Sequence, residues 1–327
     1  MRAPERVMVA PLDLSARLTD SGVSRSIAVF NIRVRRVKSS LFDRIGAMRA
    51  LTFLARRFVA GDRVADAIDA VRALNMDGLK ATLDNLGEDS KDKAQALAAR
   101  DENLLMLRRI GESGVDANIS LKLTQLGMGF DDGLAKESLL RIVEEAERLG
   151  NFVRIDMEGS KFTQKTLDLF YSIHDAHPGV GIVLQASLRR TEGDVKDAVA
   201  RKVRVRLCKG AYKEPASVAF PDKKDVDANY DRCAELLARA PIPAMATHDD
   251  ARIERALKAF DAAKLVKSDY ELQMLYGIRA KRARELRAKG HTVRIYVPYG
   301  THWFPYFYRR VRERKENLMF VARNLFE

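Results

Sequence analysis

From about residue 80 onward, short runs rich in Val, Ile and Leu alternate with longer stretches whose apolar positions recur every three or four residues. A run of four to eight apolar residues reads as a buried strand, and the three-to-four period reads as an amphipathic helix. Their regular alternation predicts βα units feeding a parallel sheet. Eight runs are expected as strands, over 80–86, 117–125, 152–158, 181–187, 203–210, 243–249, 270–275 and 292–297. Helical periods fall between them, for instance over 136–149, 163–176 and 253–264. Eight such units in about 245 residues have the size and rhythm of a (β/α)8 barrel. The segment 51–79 before them reads as a helical arm, broken at Met76-Asp77-Gly78.

A doubly wound dinucleotide-binding fold is the rival architecture. Gly127-Met-Gly129-Phe-Asp-Asp-Gly133 follows a predicted strand, but its spacing is GxGxxxG. It sits in the second unit, and no acidic strand end at the right distance completes a ribose contact. A βα loop accounts for it better.

Composition narrows the function classes. Apolar residues make up 46% and charged residues 31% of the 327, a balance suited to a soluble globular chain with ample core. No apolar run approaches the ~20 residues of a membrane span. The net charge is +13, from 58 basic and 45 acidic side chains, which favours anionic surfaces such as nucleic acid or the inner face of a membrane. Part of that charge is local: residues 21–40 hold Arg25, Arg33, Arg35, Arg36 and Lys38 and no acid. Residues 1–45 are therefore expected to be a basic, poorly ordered extension, with Met48 as an alternative start and 46–327 as the functional domain. No helix-turn-helix, zinc-finger or aromatic-rich ribonucleoprotein pattern accompanies the charge, so nucleic acid is not an expected partner. Cys208 and Cys233 form neither a disulfide framework nor metal-ligand spacing, which fits a reduced cytoplasmic setting. His174 and His177 sit three apart without a third ligand, so no metal is expected.

In a barrel of this kind chemistry collects at the C-terminal ends of the strands. Those ends are polar here: Asp84; Lys122 and Gln125; Asp156 and Glu158; Gln185; Arg206, Lys209 and Tyr212; Thr247, His248 and Asp249; Tyr296 and Tyr299. Lys122 and Asp156 stand among apolar neighbours, where a charge is costly unless paired or used. A Lys–Asp pair bracing adjacent strands and a functional pair are both compatible with that. Arg206, Lys209, Thr247 and His248 combine cation, hydroxyl and imidazole on consecutive strands, a set suited to a pyrophosphate or an electron-rich flavin ring.

The last predicted helix places Tyr306, Arg309, Arg310, Glu313 and Asn317 at i, i+3, i+4, i+7 and i+11, so one face is polar and charged. Two guanidiniums within reach of one ligand suit a carboxylate or a phosphate. A solvated basic surface is the plainer reading of the same spacing, but Tyr296-Val-Pro-Tyr299-Gly300, a strand end, turns directly into this helix.

Taken in register, these segments resemble the proline dehydrogenases, specifically the compact one-domain bacterial type. The resemblance runs from about residue 57 to 325. It is carried by Phe58-Val-Ala-Gly, Gly78-Leu-Lys-Ala-Thr-Leu-Asp-Asn-Leu-Gly-Glu, Ser120-Leu-Lys-Leu-Thr-Gln, Arg154-Ile-Asp-Met-Glu and Leu184-Gln-Ala. It continues through Arg206-Leu-Cys-Lys-Gly-Ala-Tyr, Ala246-Thr-His-Asp, Glu271-Leu-Gln-Met-Leu-Tyr-Gly, Tyr296-Val-Pro-Tyr-Gly and Tyr306-Phe-Tyr-Arg-Arg-Val-Arg-Glu-Arg-Lys-Glu-Asn.

The resemblance implies a distorted (β/α)8 TIM barrel with its final helix over the mouth. It implies noncovalent FAD and oxidation of L-proline to Δ1-pyrroline-5-carboxylate, the first step of proline degradation, by hydride transfer from C5 to flavin N5. By the same resemblance Arg309 and Arg310 grip the substrate carboxylate, Glu313 orients an arginine, and Lys122 and Asp156 flank the substrate. Tyr212, Leu275, Tyr296 and Tyr306 line the ring, while Gln185, Arg206, Lys209, Thr247 and His248 hold the flavin. A quinone is the implied acceptor, reached by peripheral contact with an anionic membrane. With the chain ending at Glu327, a separate pyrroline-5-carboxylate dehydrogenase is expected downstream. Cys208 stands where many relatives carry an aliphatic residue. Two other functions share the same residues: oxidation of hydroxyproline or another cyclic imino acid, which Tyr296 disfavours by crowding the carbon that bears the hydroxyl, and a non-redox, anion-binding barrel.

Overall fold

A computed structural model describes residues 55–313, with side chains through Tyr308. The expected basic extension over 1–45, the beginning of the arm and Asn317 lie outside the described residues. Within them eight strands form in chain order: β1 Lys80–Asn85, β2 Ala117–Leu121, β3 Val153–Ile155, β4 Val180–Gln185, β5 Val205–Cys208, β6 Ala244–Ala246, β7 Glu271–Leu275 and β8 Val293–Tyr299. Each pairs in parallel with the next, and β8 returns to β1 over the register Lys80↔Arg294 to Asn85↔Tyr299. That closure excludes the open, doubly wound alternative. Every residue of β2 and β4 is buried, as expected for parallel strands covered by helices on one face and filling a barrel on the other.

The helices are α1 Val64–Met76, α2 Lys93–Ser113, α3 Asp132–Arg148, α4 Ser160–His174, α5 Thr191–Ala200, α6 Lys223–Leu237, α7 Asp250–Ala262, α8 Ala280–Ala288 and α9 Trp303–Glu313. Several begin about a turn before the apolar period does, because polar caps start them. Asp131 accepts the N–H of Leu134 ahead of α3, and Asp249 accepts that of Ala251 ahead of α7, each satisfying a backbone donor the helix leaves open.

Six strands, conversely, stop short of their apolar runs, while β7 ends with its run and β8 continues two residues past it to Tyr299. The run over 117–125 leaves the ladder after Leu121, and Leu123–Leu126 winds into a 3-10 turn with Lys122 at its N-cap. The runs over 152–158 and 243–249 shrink to Val153–Ile155 and Ala244–Ala246. The final residues of each run carry side chains toward the mouth, so the backbone bends out of the sheet there while remaining buried.

Two helices depart from a regular barrel. The helical segment before β1 packs Ala67, Ile68 and Val71 of α1 against β1 and β8, the wall position that a helix after β8 ordinarily fills. The preceding loop is tied to the end of β8 by Ala60 N–H to Pro298 O and by Gly300 N–H to Gly61 O, each 2.9 Å. With that wall filled, α9 is released to the mouth, where Tyr306 and Phe307 are buried and Phe307 packs on Phe58 with ring centroids 6.1 Å apart. Among the described residues no helix is long and apolar enough to cross a membrane.

Candidate active site

A cavity of about 550 Å³ opens at the C-terminal ends of the strands. Eleven of the residues expected in the site line it: Lys122, Asp156, Gln185, Arg206, Lys209, Tyr212, Thr247, His248, Leu275, Tyr296 and Tyr306. Arg309, Arg310 and Glu313 belong to the described backbone of α9, but their side chains lie outside the described residues. A second cavity, about 720 Å³, adjoins the first and shares Leu86, Glu88, Lys122 and Tyr306 with it.

The inner wall is a buried lattice of charges. Lys122 is 8% exposed and Asp84 1%, and the ammonium sits 3.2 and 3.1 Å from the two oxygens of Asp84. Asp156 is the more distant partner, its Oδ2 3.7 Å away. Burial works against the charge on Lys122, but Asp84, Asp156 and Tyr212 outweigh it and raise its pKa. Burial likewise pushes the Asp84 carboxyl up, an effect that Lys122 moderates. Asp156 is a junction. Its Oδ1 accepts from Arg206 Nη1 at 2.9 Å and from Ser120 Oγ at 2.5 Å, and its Oδ2 accepts from the Tyr296 phenol at 2.8 Å. Burial, then Asp156 and Asp84, push that phenol well above its ordinary range, so it stays a donor.

Arg206 crosses the floor of the cavity and is 5% exposed. Its Nε donates to Gln273 Oε1 at 2.6 Å and its Nη1 to Asp156 and Ser120. Among the described residues its buried Nη2 has no hydrogen-bond partner. The guanidinium carbon lies 5.3 Å from the centre of the Tyr296 ring.

Toward α6 and α7 the wall is more solvated. Lys209 Nζ lies 2.5 Å from Asp227 and 2.9 Å from Asp249. His248 Nε2 accepts the backbone N–H of Leu275 at 3.0 Å, so that nitrogen carries no proton and the ring N–H sits on Nδ1. Thr247 Oγ1 accepts the N–H of Asp249. Gln185 donates Nε2 to the carbonyl of Glu158 at 2.9 Å, leaving its own oxygen as an acceptor. Gly210 follows Lys209 at φ +113°, and a Cβ there would stand 2.2 Å from Ser187 Oγ, so this turn requires glycine. Cys208 also lines the cavity, and burial pushes its thiol up to about 12, which keeps it protonated and inert as a nucleophile.

Three members of this lattice, Asp84, Ser120 and Gln273, had no role assigned from sequence. Gln273 had a signal: in Glu271-Leu-Gln273-Met-Leu275 the polar residues alternate with apolar ones, the pattern of a strand with one polar face. His174 and His177 stand away from the cavity, beside Asp175 and Glu147.

The family model for proline dehydrogenase matches residues 67–323, a span that takes in all eight strands of the barrel. This chain belongs to the proline dehydrogenase family. Among curated members, proline dehydrogenase 1 of Bacillus subtilis (strain 168) is 39% identical over 274 residues, covering 84% of this chain and 91% of that protein. The proline dehydrogenase of Deinococcus radiodurans is 37% identical over 280 residues, covering 84% and 90%. Among solved structures, proline utilization A of Bdellovibrio bacteriovorus superposes with a TM-score of 0.77 at 23% identity, over 82% of this chain and 33% of that longer one. That likeness bears on the barrel fold, and the near full-length matches are to proteins named proline dehydrogenase.

Proposed function

We propose that this chain oxidises L-proline to Δ1-pyrroline-5-carboxylate with noncovalently bound FAD and passes the electrons to a quinone. The observation that carries the reading is convergence: eleven of the residues the family resemblance assigns to substrate and flavin, those whose side chains are described, line one cavity. In the reaction a C5–H bond breaks, a C5=N bond forms, and the ring nitrogen releases its proton to water. FAD, when bound, supplies the hydride acceptor.

The residues present suit that cofactor. Arg206 offers a buried donor, Nη2, with no partner among the described residues, and an unsatisfied buried guanidinium donor is costly unless a ligand takes it. Gln185, Thr247 and His248 add fixed polar atoms on neighbouring strand ends, and Lys209 adds a cation near the surface. Gly210 lets the backbone approach closely.

The substrate side follows from charge. Lys122 and Arg206 are matched by Asp84 and Asp156, so the inner wall carries no surplus cation for a carboxylate. Arg309 and Arg310, on the helix at the mouth, supply it. Asp156 then faces the ring nitrogen, and Tyr296, Tyr306 and Leu275 form the wall that fixes C5 and excludes water from the developing iminium. Positioning of this kind is most of what a hydride transfer asks of the protein. A net charge of +13 supports a peripheral encounter with the anionic membrane that holds the quinone.

The test is a visible spectrum of the purified protein titrated with proline. A flavin band that bleaches on addition is the expected result. Protein that is colourless, and stays so after reconstitution with FAD, overturns the reading.

A further inference from the structure

Below the cavity floor the barrel interior holds a buried polar chain that the reaction itself does not call for. Arg294 grips Glu271 with two bonds, Nε to Oε2 at 2.9 Å and Nη2 to Oε1 at 2.8 Å. Glu271 Oε2 accepts the amide N–H of Gln273 at 2.7 Å, and Gln273 Oε1 accepts Arg206 Nε at 2.6 Å. All four side chains are buried. Arg294 is anchored in turn to Asn118 Oδ1 at 2.8 Å and to the carbonyl of Ala81. The chain therefore runs from β8 and β1 through β7 to Arg206 on β5.

Its direction is fixed by chemistry. A side-chain amide can be turned end for end at little cost in shape, exchanging donor for acceptor. Here it cannot. Glu271 is held ionised, since Arg294 outweighs the burial that would protonate it and brings its carboxyl down to about 2. A carboxylate accepts only, so the Gln273 nitrogen must face it and the Gln273 oxygen must face Arg206. Were the amide turned, its NH2 would meet the guanidinium N–H and its oxygen the carboxylate, two repulsive contacts between buried groups.

We infer that Glu271 and Gln273 are positioning residues for the proposed flavin site: Glu271 locks the Gln273 amide, and Gln273 sets the rotation of the Arg206 guanidinium so that Nη2 is presented to the cofactor. The inference rests on the FAD reading above and deepens it. Asp156 and Ser120 hold only Nη1, so the bond from Nε to Gln273 fixes the plane of the fork. A correctly placed cation beside a flavin stabilises the reduced, more electron-rich form, so misplacing it makes the bound flavin harder to reduce.

The test uses the holoenzyme and three substitutions. Glu271→Gln removes the lock. Gln273→Met removes the strut while leaving the Glu271–Arg294 pair intact, and it carries the test if Glu271→Gln does not fold. Each is also made together with Arg206→Lys, which lacks the fork. Three quantities are read: the midpoint potential of the bound FAD, its dissociation constant, and kcat and KM for proline separately. For Gln273→Met the expected result is a more negative potential, an FAD dissociation constant raised roughly tenfold, as for loss of one hydrogen bond to a charged group, and a lower kcat with little change in KM. In the Arg206→Lys background the same substitution should change potential and FAD affinity no further, because residues acting through one group are not additive. Unchanged potential with FAD affinity within twofold of wild type overturns the inference, as do equal decrements in both backgrounds. Failure of the wild-type protein to bind FAD is the separate outcome that removes the flavin reading instead.

Discussion

The ammonium of Lys122 lies 3.1 Å from Oδ2 of Asp84, with both side chains almost wholly out of water. The carboxylate of Asp156 lies 3.7 Å from the same ammonium. One cation thus serves two acids at the cavity wall, Asp84 fully buried and Asp156 partly so.

Removing that cation leaves the buried Asp84 carboxyl without its cation, while Asp156 keeps Arg206, Ser120 and Tyr296. Breaking a buried pair from one side costs about 3–5 kcal/mol, so Lys122→Met should lose stability of that order in urea unfolding at pH 7. The loss should shrink at acid pH as the Asp84 carboxyl, which burial already pushes up, takes up its proton. KM for proline should rise as well, since Asp156 loses one of the groups that flank it. Near-neutral stability in this variant is incompatible with the pairing.

Tyr296 is both wall and donor. Tyr296→Phe keeps the ring and deletes the bond to Asp156 Oδ2, an interaction with a charged group worth ~1.5–3 kcal/mol. A fall in kcat/KM of roughly tenfold or more is expected. Burial holds the phenol protonated, so wild-type kcat/KM should show no limb assignable to Tyr296 between pH 6 and about 10; a limb that disappears in the phenylalanine variant contradicts this. Replacing Tyr296 with serine should widen the ring site and raise turnover of hydroxyproline relative to proline. A clear wild-type preference for hydroxyproline tells against the substrate proposed here.

The barrel was legible from sequence because its signal is local. Eight apolar runs separated by helical periods placed every strand, and the polar ends of those runs named most of the cavity wall. What sequence could not show was partnership. Lys122 stands in the chain like a mate for Asp156, yet the closing of β1 against β2 brings Asp84 nearer. The Glu271–Gln273–Arg206 chain depends on which face of β5 and β7 turns inward, and that is set by the register Ala244↔Glu271 and Arg206↔Ala244 rather than by either strand alone. Most strands end before their apolar runs do for a related reason: apolar residues remain buried where the backbone has already left the ladder, so the run over 117–125 hides a 3-10 turn. The position of α1 against β1 and β8 likewise follows from closure, which no single segment encodes.

A backbone contact outside the cavity offers a test of the fold. Gly277 sits just past β7 at φ +72°, and a Cβ there would lie 1.6 Å from the carbonyl oxygen of Arg57. Neither the conformation nor the space accommodates another residue. Gly277→Ala should lower the melting temperature by several degrees and weaken the docking of the segment before α1. Proteolysis near residue 57 that is accelerated in the variant reports the second effect, whereas an unchanged melting temperature argues against the close approach.

The clamp proposed on α9 predicts a division between substrate and cofactor. Arg309→Met and Arg310→Met each delete a charge-assisted bond to the carboxylate, worth ~1.5–3 kcal/mol or roughly 10–100-fold. KM for proline should climb by that factor while the flavin spectrum and FAD affinity stay as in wild type. Unchanged KM in both variants removes the assignment, and loss of FAD in either moves these arginines to the cofactor.

Glu271 gives the acid limb of stability a named contributor. Its carboxyl titrates near 4.5 in an unfolded chain and at about 2 in the folded one, because Arg294 and Gln273 favour the charged form more than burial opposes it. A depressed folded value means the unfolded state binds the proton first. The contribution is therefore complete above about pH 4.5 and is lost as the pH falls toward 2. At 1.36 kcal/mol per unit the whole is on the order of 3 kcal/mol. The unfolding free-energy difference between wild type and Glu271→Gln, measured in urea from pH 6 to 2.5, should be flat down to about pH 5 and then shrink by roughly that amount. A difference that stays constant over the range shows that the carboxylate is not held by Arg294 as the structure has it.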